Sequence, residues 1–351
     1  MKKILKLISV ICIIALFAGC SLVSKVEDDD KKSSATVVTV DGKNISEEMF
    51  NIFLYNAQGN VYMNSGFQSV ADIPEDFWEG KGEGAVSFDE VKQNALDSII
   101  ETAVVCAKAE ELGLELTEED KTNAENTLTQ MKNDENTSSI FKGLGVSFDT
   151  VEEYYNQILL SQKVLPELIK KGEIKVDSKA ALDTFKKDYV KAKHILISTV
   201  DSATGAALSE DEVKAAKDKA QDILNQLNAG AVFDTLMKEH NEDPGMSSQP
   251  DGYVFTTGEM VEEFEKAAFA LKENEISGLV ETSYGVHIIK RVPFDMSADT
   301  EKAYIENIES QSAVPQFEEL IDKWVKESKV RSKDKIIEKK KPFGAELFYG
   351  A

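Results

Sequence analysis

Cysteine and histidine are both scarce in this chain, three of each in 351 residues. Two of the cysteines, Cys12 and Cys20, sit in or at the end of a greasy N-terminal run, so Cys106 stands alone in the body of the chain. A disulfide framework within one chain is therefore excluded. Cys106 lies on a helical apolar stripe and reads as an inert core thiol. His194, His240 and His287 form no close pair, and no Cys/His spacing fits a metal site, so neither a metal nor a cofactor is expected. Basic residues are the other deficit: 40 Lys and Arg against 63 Asp and Glu leave a formal charge of −23. Such acidity argues against nucleic-acid binding and against electrostatic adhesion to anionic lipid, and it favours solubility and basic partners.

The long apolar stretch lies at the start. After Met1-Lys2-Lys3, the run from Ile4 to Ala18 is too short, with Lys6 inside it, to make a good membrane span. It closes on Leu16-Phe17-Ala18-Gly19-Cys20, small residues ahead of a cysteine, which is the order of a secretory signal. This is the pattern of bacterial lipoprotein precursors, and it implies cleavage before Cys20 and acylation of its thiol. Residues 1–19 are then a signal peptide. Residues 20–35, polar, charged and aperiodic, are a lipidated disordered tether. The expected location is the extracytoplasmic face of a cell membrane, held there through Cys20. In a two-membrane cell, Ser21 would permit sorting to the outer membrane.

Beyond the tether the pattern divides the chain. Thr36 to Val40 reads as a strand closed by Asp41-Gly42. Ser46 caps a helix carrying Met49, Phe50, Phe53 and Leu54 on one face. A loop with Phe77 and Trp78 as anchors is expected over 60–88. Val91, Ala95, Ile99, Ala103 and Cys106 then recur at helical spacing up to Gly113, and Thr117 with Asp120 forms a capping box. Helices follow around Tyr154, Ile158 and Val164, and after Asp177 with Leu182 and Phe185. Residues 36–188 thus read as a helical domain with a small strand. Between 189 and 293 the order becomes β-α-α-β-α-β-β, an α+β domain with an antiparallel sheet. Residues 294–335 return to helix, with Ile305, Ile308, Phe317, Leu320, Ile321 and Trp324, and are expected to pack on the N-terminal helices. Residues 336–351 read as a frayed tail.

Three segments carry a resemblance. Ala192-Lys193-His194-Ile195-Leu196 resembles the opening strand of parvulin-type peptidyl-prolyl isomerases. Gly258-Glu259-Met260-Val261 with Phe264-Glu265-Lys266-Ala267-Ala268-Phe269-Ala270-Leu271 resembles their proline-pocket segment, and Tyr284-Gly285-Val286-His287-Ile288-Ile289 their last strand. The layout around them is similar in architecture to PrsA-type extracytoplasmic foldases, and more distantly to SurA. The resemblance implies an α+β rotamase domain inserted in a mainly α-helical chaperone domain built from the N- and C-terminal segments. It implies a proline pocket of Met260, Phe264 and Phe255. Below the pocket it places His194 and His287, hydrogen-bonded to each other, with Asp243 facing the rotating amide. Expected partners are unfolded or folding exported proteins, and the membrane through the Cys20 lipid; a homodimer stays open. His240 matches no site position.

The chain also departs from that pattern. Gln249-Pro250-Asp251-Gly252-Tyr253 replaces the Gly-Gly-Asp-Leu-Gly that many parvulins carry before the pocket strand. Tyr284 stands where some have a small hydroxyl residue. The loop from Thr199 to Leu208 holds no Arg or Lys, so a phosphate clamp is not expected. The expected activity is cis–trans isomerisation of X–Pro bonds with holding of unfolded clients; the alternative is a chaperone whose parvulin-like domain only binds peptides. A solute-binding lipoprotein would need strand–helix units repeated across two lobes, and the helix-only stretch from Asp89 to Lys187 speaks against it.

Overall fold

The computed structural model describes residues 35–349, apart from positions 68, 70, 71, 75, 81–85, 202, 203 and 205. The signal at 1–19, Cys20 and the tether as far as 34 lie outside the described residues. The chain forms two compact units, one from the segments up to Val176 and from Ser312 onward, the other from Asp177–Gln311. The fold is α+β, with helices predominating. Among the described residues no helix is long and apolar enough to cross a membrane.

The first unit opens with β1 (Thr36–Val40) and β2 (Lys43–Ser46), antiparallel, with Val40 opposite Lys43. Asp41 at φ 48° and Gly42 at φ 87° form the two-residue turn between them. Positive φ at both central positions is the twist-matched hairpin geometry that Asp-Gly adopts readily. Ser46 accepts a hydrogen bond from Met49 N and starts helix Glu47–Ser65. This helix is buried all round: Met49, Phe50, Ile52, Phe53 and Leu54 are each at most 5% exposed. It runs on to residue 65, into the stretch expected to be loop, where Tyr62 packs against Phe77 and Trp78. Helix Phe88–Glu111 lies in the same core through Val91, Ala95, Ile99, Val104 and Val105. The Thr117–Asp120 capping box opens helix Glu118–Asn133 as expected. Helices Glu135–Leu144, Phe148–Gln162 and Val164–Lys170 complete this half.

The second unit begins earlier than the sequence suggested. Helix Ser178–Asp188 belongs to it, because Phe185 packs on Tyr189, Phe294 and Tyr304. From there the chain enters β3 (Tyr189–Ser198), a central strand of a four-stranded antiparallel sheet ordered β4 (Tyr253–Thr256), β3, β6 (Gly285–Val292), β5 (Ile276–Thr282). Ser209 and Glu212 cap helix Glu210–Asn228, which is followed by helix Phe233–His240 and the short Pro244–Ser248. Next come β4 (Tyr253–Thr256), helix Glu262–Ala270, β5 (Ile276–Thr282) and β6 (Gly285–Val292). A bulge in β5 between Ile276 and Leu279 breaks the ladder, and Ser277 Oγ accepts from Ile289 N there at 2.8 Å.

Helix Ala298–Glu327 contains Pro315 and divides its packing. Tyr304, Ile305 and Ile308 join the cluster of Phe185 and Tyr189, whereas Ala313, Phe317, Ile321 and Trp324 join the core of the first unit. Only its second half therefore packs as expected of the 294–335 segment. β7 (Val330–Ser332) then pairs antiparallel with β1, giving the order β2-β1-β7. The tail expected to fray is docked instead. Gln58 donates to the Phe343 carbonyl at 2.8 Å and accepts from Phe343 N at 2.9 Å, and Tyr55 donates to the Leu347 carbonyl at 3.0 Å. Phe348 stacks on Tyr55 at 4.4 Å. Aromatic anchoring and side-chain-to-backbone bonds hold this segment, and neither leaves a helical period in sequence.

Candidate active site

Alternation along β3 and β6 sorts the second unit's side chains into two layers. Ile195, Ile197, Val286 and Ile288 face helices Glu210–Asn228 and Phe233–His240. Val190, Ala192 and Ile289 face helix Glu262–Ala270. By the same period-two rule His194 and His287 fall on this second face. The register sets Leu196 opposite His287 and Ile289 opposite His194, so the two imidazoles are diagonal neighbours. Both are 5% exposed, and both meet the Phe264 ring near edge-on, at 5.1 and 5.4 Å between centroids.

The segment after helix Phe233–His240 brings in the carboxylate. β4 pairs only with Tyr189 to Ala192, and at the other end of β3 the backbone is met by Asn241 and Glu242. Asn241 Oδ1 accepts from Leu196 N at 2.7 Å, Glu242 N donates to the Leu196 carbonyl, and Glu242 Oε2 accepts from Ser198 N. This zipper fixes the next residue. Asp243 caps the short helix, Oδ1 accepting from Gly245 N at 3.0 Å, while Oδ2 accepts from the Tyr253 hydroxyl at 2.9 Å. His194 Nε2 lies 3.2 Å from the same Oδ2. The His194 imidazole, then the Tyr253 hydroxyl and Gly245 amide, hold the Asp243 carboxyl far below the usual carboxylate range, against the opposing pull of burial. It is ionised at any ordinary pH.

The expected hydrogen bond between His194 and His287 is not made. Their rings stand 5.2 Å apart and cross at 72°, and neither ring nitrogen of His194 nor Nδ1 of His287 has a well-directed hydrogen-bond partner. The 3.2 Å approach to Asp243 is close but poorly aimed. Edge-to-face packing against Phe264 turns the two rings away from each other. His287 Nε2 instead bonds Thr282 Oγ1 at 2.8 Å, on neighbouring β5. Burial, with the nearby His194, pushes the His287 imidazole down to about 4, so it is neutral at physiological pH.

Met260, Phe264 and Phe255 fall in one cluster with Val190, Ala192 and Ile289, and Tyr253 and Val280 border it. Phe255 and Phe264 are buried, at 1% and 3% exposed, and Met260 is half-buried at the margin. Tyr284 is exposed, and its carbonyl accepts from Thr199 N, which ties the β5–β6 turn to the loop after β3. His240 lies apart from the site, 3.9 Å from Glu239. Asn241, Tyr253 and Thr282 were missed as site residues. The Tyr253 substitution in the altered loop was visible in sequence, whereas Thr282 and Asn241 become site residues only through strand register. A fixed carboxylate beside an apolar cluster, backed by a neutral imidazole, can change the charge balance of an amide brought against it without forming a bond to it.

Residues 174–292 match the PPIC-type PPIase domain family. Over 327 residues the chain is 28% identical to the foldase protein PrsA of Caldanaerobacter subterraneus, covering 90% of this chain and 93% of that one. It is 27% identical over 365 residues to PrsA of Clostridium botulinum, covering 95% and 99%. Among solved structures, PrsA from Bacillus subtilis aligns at 25% identity with a TM-score of 0.38, covering 75% of this chain and 93% of the other.

Proposed function

From a chain that is homologous to the PrsA foldases and carries a parvulin-type peptidyl-prolyl isomerase domain, we propose a foldase for exported proteins whose turnover of X–Pro bonds takes place at Asp243, His194 and His287. The proline ring would seat against Met260 and Phe264, with Phe255 behind them. The planar X–Pro amide resists rotation by roughly 18–20 kcal/mol because the nitrogen lone pair is shared with the carbonyl, which places negative charge on its oxygen. Rotation localises that lone pair on nitrogen and drains the oxygen. An environment hostile to the charged oxygen therefore favours the twisted form over both planar ones. An ionised carboxylate near that oxygen, in a pocket from which water is displaced, is such an environment. The observation that carries the reading is the convergence of Asp243, with two donors and a close imidazole on its oxygens, against the Phe264 and Met260 cluster.

Client holding is proposed for the first unit. A cavity of about 830 Å³ there has Ile45, Met49, Ile99 and Leu160 among its lining residues, and Glu110, Glu115, Glu152 and Glu153 in the same lining. That combination suits extended apolar segments with basic flanks. Anchoring through lipid on Cys20 completes the proposal; two or more acyl chains would hold the protein stably at the membrane. The test is acceleration of cis–trans exchange in a set of X–Pro peptides by the chain from residue 20 on, compared with Asp243→Ala. A folded wild-type chain that accelerates none of them would remove the catalytic reading and leave peptide binding alone.

A further inference from the structure

We propose that the Tyr253 hydroxyl is a positioning group that fixes the Asp243 carboxylate in the site, and that its presence is what requires glycine at 245. This deepens the isomerase reading above and rests on it. Tyr253 opens β4 on the same face as Phe255, two residues on, and its ring lies alongside that of His194 at 5.9 Å and 28°. From there its hydroxyl reaches Asp243 Oδ2 at 2.9 Å, across ten residues of chain. Without it, Oδ2 would keep only the poorly aimed approach of His194 Nε2 at 3.2 Å, while Oδ1 stayed on the Gly245 amide. The carboxylate could then turn about its one remaining good bond. Charge arguments agree: burial, then the contact with Asp243, raises the Tyr253 hydroxyl well above the usual phenol range, so it stays a donor.

The hydroxyl also leaves a mark on the neighbouring backbone. A Cβ at Gly245 would stand 2.1 Å from the Tyr253 hydroxyl oxygen, but 3.3 Å from the ring carbon bearing it and 3.3 Å from Asp243 Oδ1. The first distance is a clash, and the others are tight contacts that small shifts relieve. Gly245 does not sit at positive φ, so backbone conformation does not demand glycine there. The demand comes from the hydroxyl. Glycine at 245 and tyrosine at 253 form one lock on Asp243, in a loop where the chain departs from the usual parvulin sequence. Around the carboxylate stand His194 on β3, His287 on β6 and Tyr253 itself. The adjacent Glu242 is turned to Lys219 and the Ser198 amide.

The experiment uses the chain from residue 20 on in four forms: wild type, Tyr253→Phe, Gly245→Ala and the double variant, each measured for thermal unfolding and for X–Pro isomerisation. Tyr253→Phe should unfold near the wild-type temperature and lose roughly tenfold or more in kcat, with KM changed by less than about twofold. Gly245→Ala should unfold at a clearly lower temperature. The double variant should recover most of that loss in stability yet remain at the low kcat of Tyr253→Phe. Recovery of stability without recovery of turnover is what a purely structural tyrosine would not produce. Additive thermal effects would show that the hydroxyl does not exclude a side chain at 245 and would overturn the lock. Unchanged kcat in Tyr253→Phe, with an active wild type, would overturn the positioning role. If the wild type accelerates no peptide, it is the isomerase reading that fails, and the thermal cycle alone then decides whether the lock exists.

Discussion

His287 gives the second unit a stability that should fall steeply as the solution is acidified. In the unfolded chain its imidazole takes up a proton near pH 6.5, but in the fold burial beneath Phe264 delays uptake to about 4. Between those values the unfolded state binds the extra proton and the folded state does not, so stability rises with pH across the window. Above pH 6.5 the contribution is fully present; it is lost progressively down to pH 4 and stays lost below. At about 1.4 kcal/mol per unit, the loss is roughly 3 kcal/mol, a large part of what a domain of this size holds in reserve. Asp243 acts in the same direction but outside this range, because its folded value is depressed and its unfolded value lies near 3.8, so its contribution is lost only in stronger acid. The assay is urea unfolding at pH 7.5, 6, 5 and 4, followed through the backbone amide signals of Val286 to Ile289, since both tryptophans, Trp78 and Trp324, lie in the other unit. His287→Gln removes the titration while keeping a group that can bond Thr282. Its urea midpoint should change far less with pH than that of the wild type. Parallel curves for the two proteins would refute the argument that burial holds this imidazole neutral.

Three further outcomes are expected. Gln58→Ala should destabilise the first unit by about 1–2 kcal/mol, because both bonds to Phe343 are lost and a partly buried amide and carbonyl are left without this partner; tryptophan fluorescence in urea reads it. Cys106 should react with a disulfide reagent far more slowly than an exposed thiol, since burial, with Glu110 nearby, pushes its thiol up to about 12; labelling of the folded chain at the rate of a free cysteine would contradict this. Cys20→Ala should transfer the protein from the membrane fraction to the soluble or secreted one, and persistence in the membrane would place the anchor elsewhere.

Local signals in the sequence were read well because their physics is local. Ser46, Thr117 with Asp120, and Asp177 cap helices where side-chain chemistry said they would, and Gly113 takes the positive φ that ends a helix. His194, His287, Asp243, Met260, Phe264 and Phe255 do come together in the second unit, because ordered motifs carry register implicitly. What stayed hidden depends on orientation or on distant partners. Strand register put Thr282 rather than His194 on the His287 ring. The start of the second unit at Asp177 was obscured because Phe185 reads the same whichever core it enters. The docked tail was invisible because one glutamine, three aromatics and two carbonyls form no period.

The pairing of β7 with β1 has a temporal consequence. A three-stranded sheet that joins Val330 to Val40 cannot be completed until nearly the whole polypeptide is present, and the bond from Tyr55 to Leu347 spans 292 residues. Closing so long a loop is slow, whereas the second unit draws every strand of its own sheet from one continuous stretch. In a chain that crosses a membrane N-terminus first, the sheet at Tyr189–Val292 could close while residues after 312 were still in transit. Helix Glu47–Ser65, buried on nearly every face in the finished fold, would wait without its C-terminal cover through that interval. A protein that shelters the unfinished folds of others would thus pass through an exposed stage of its own.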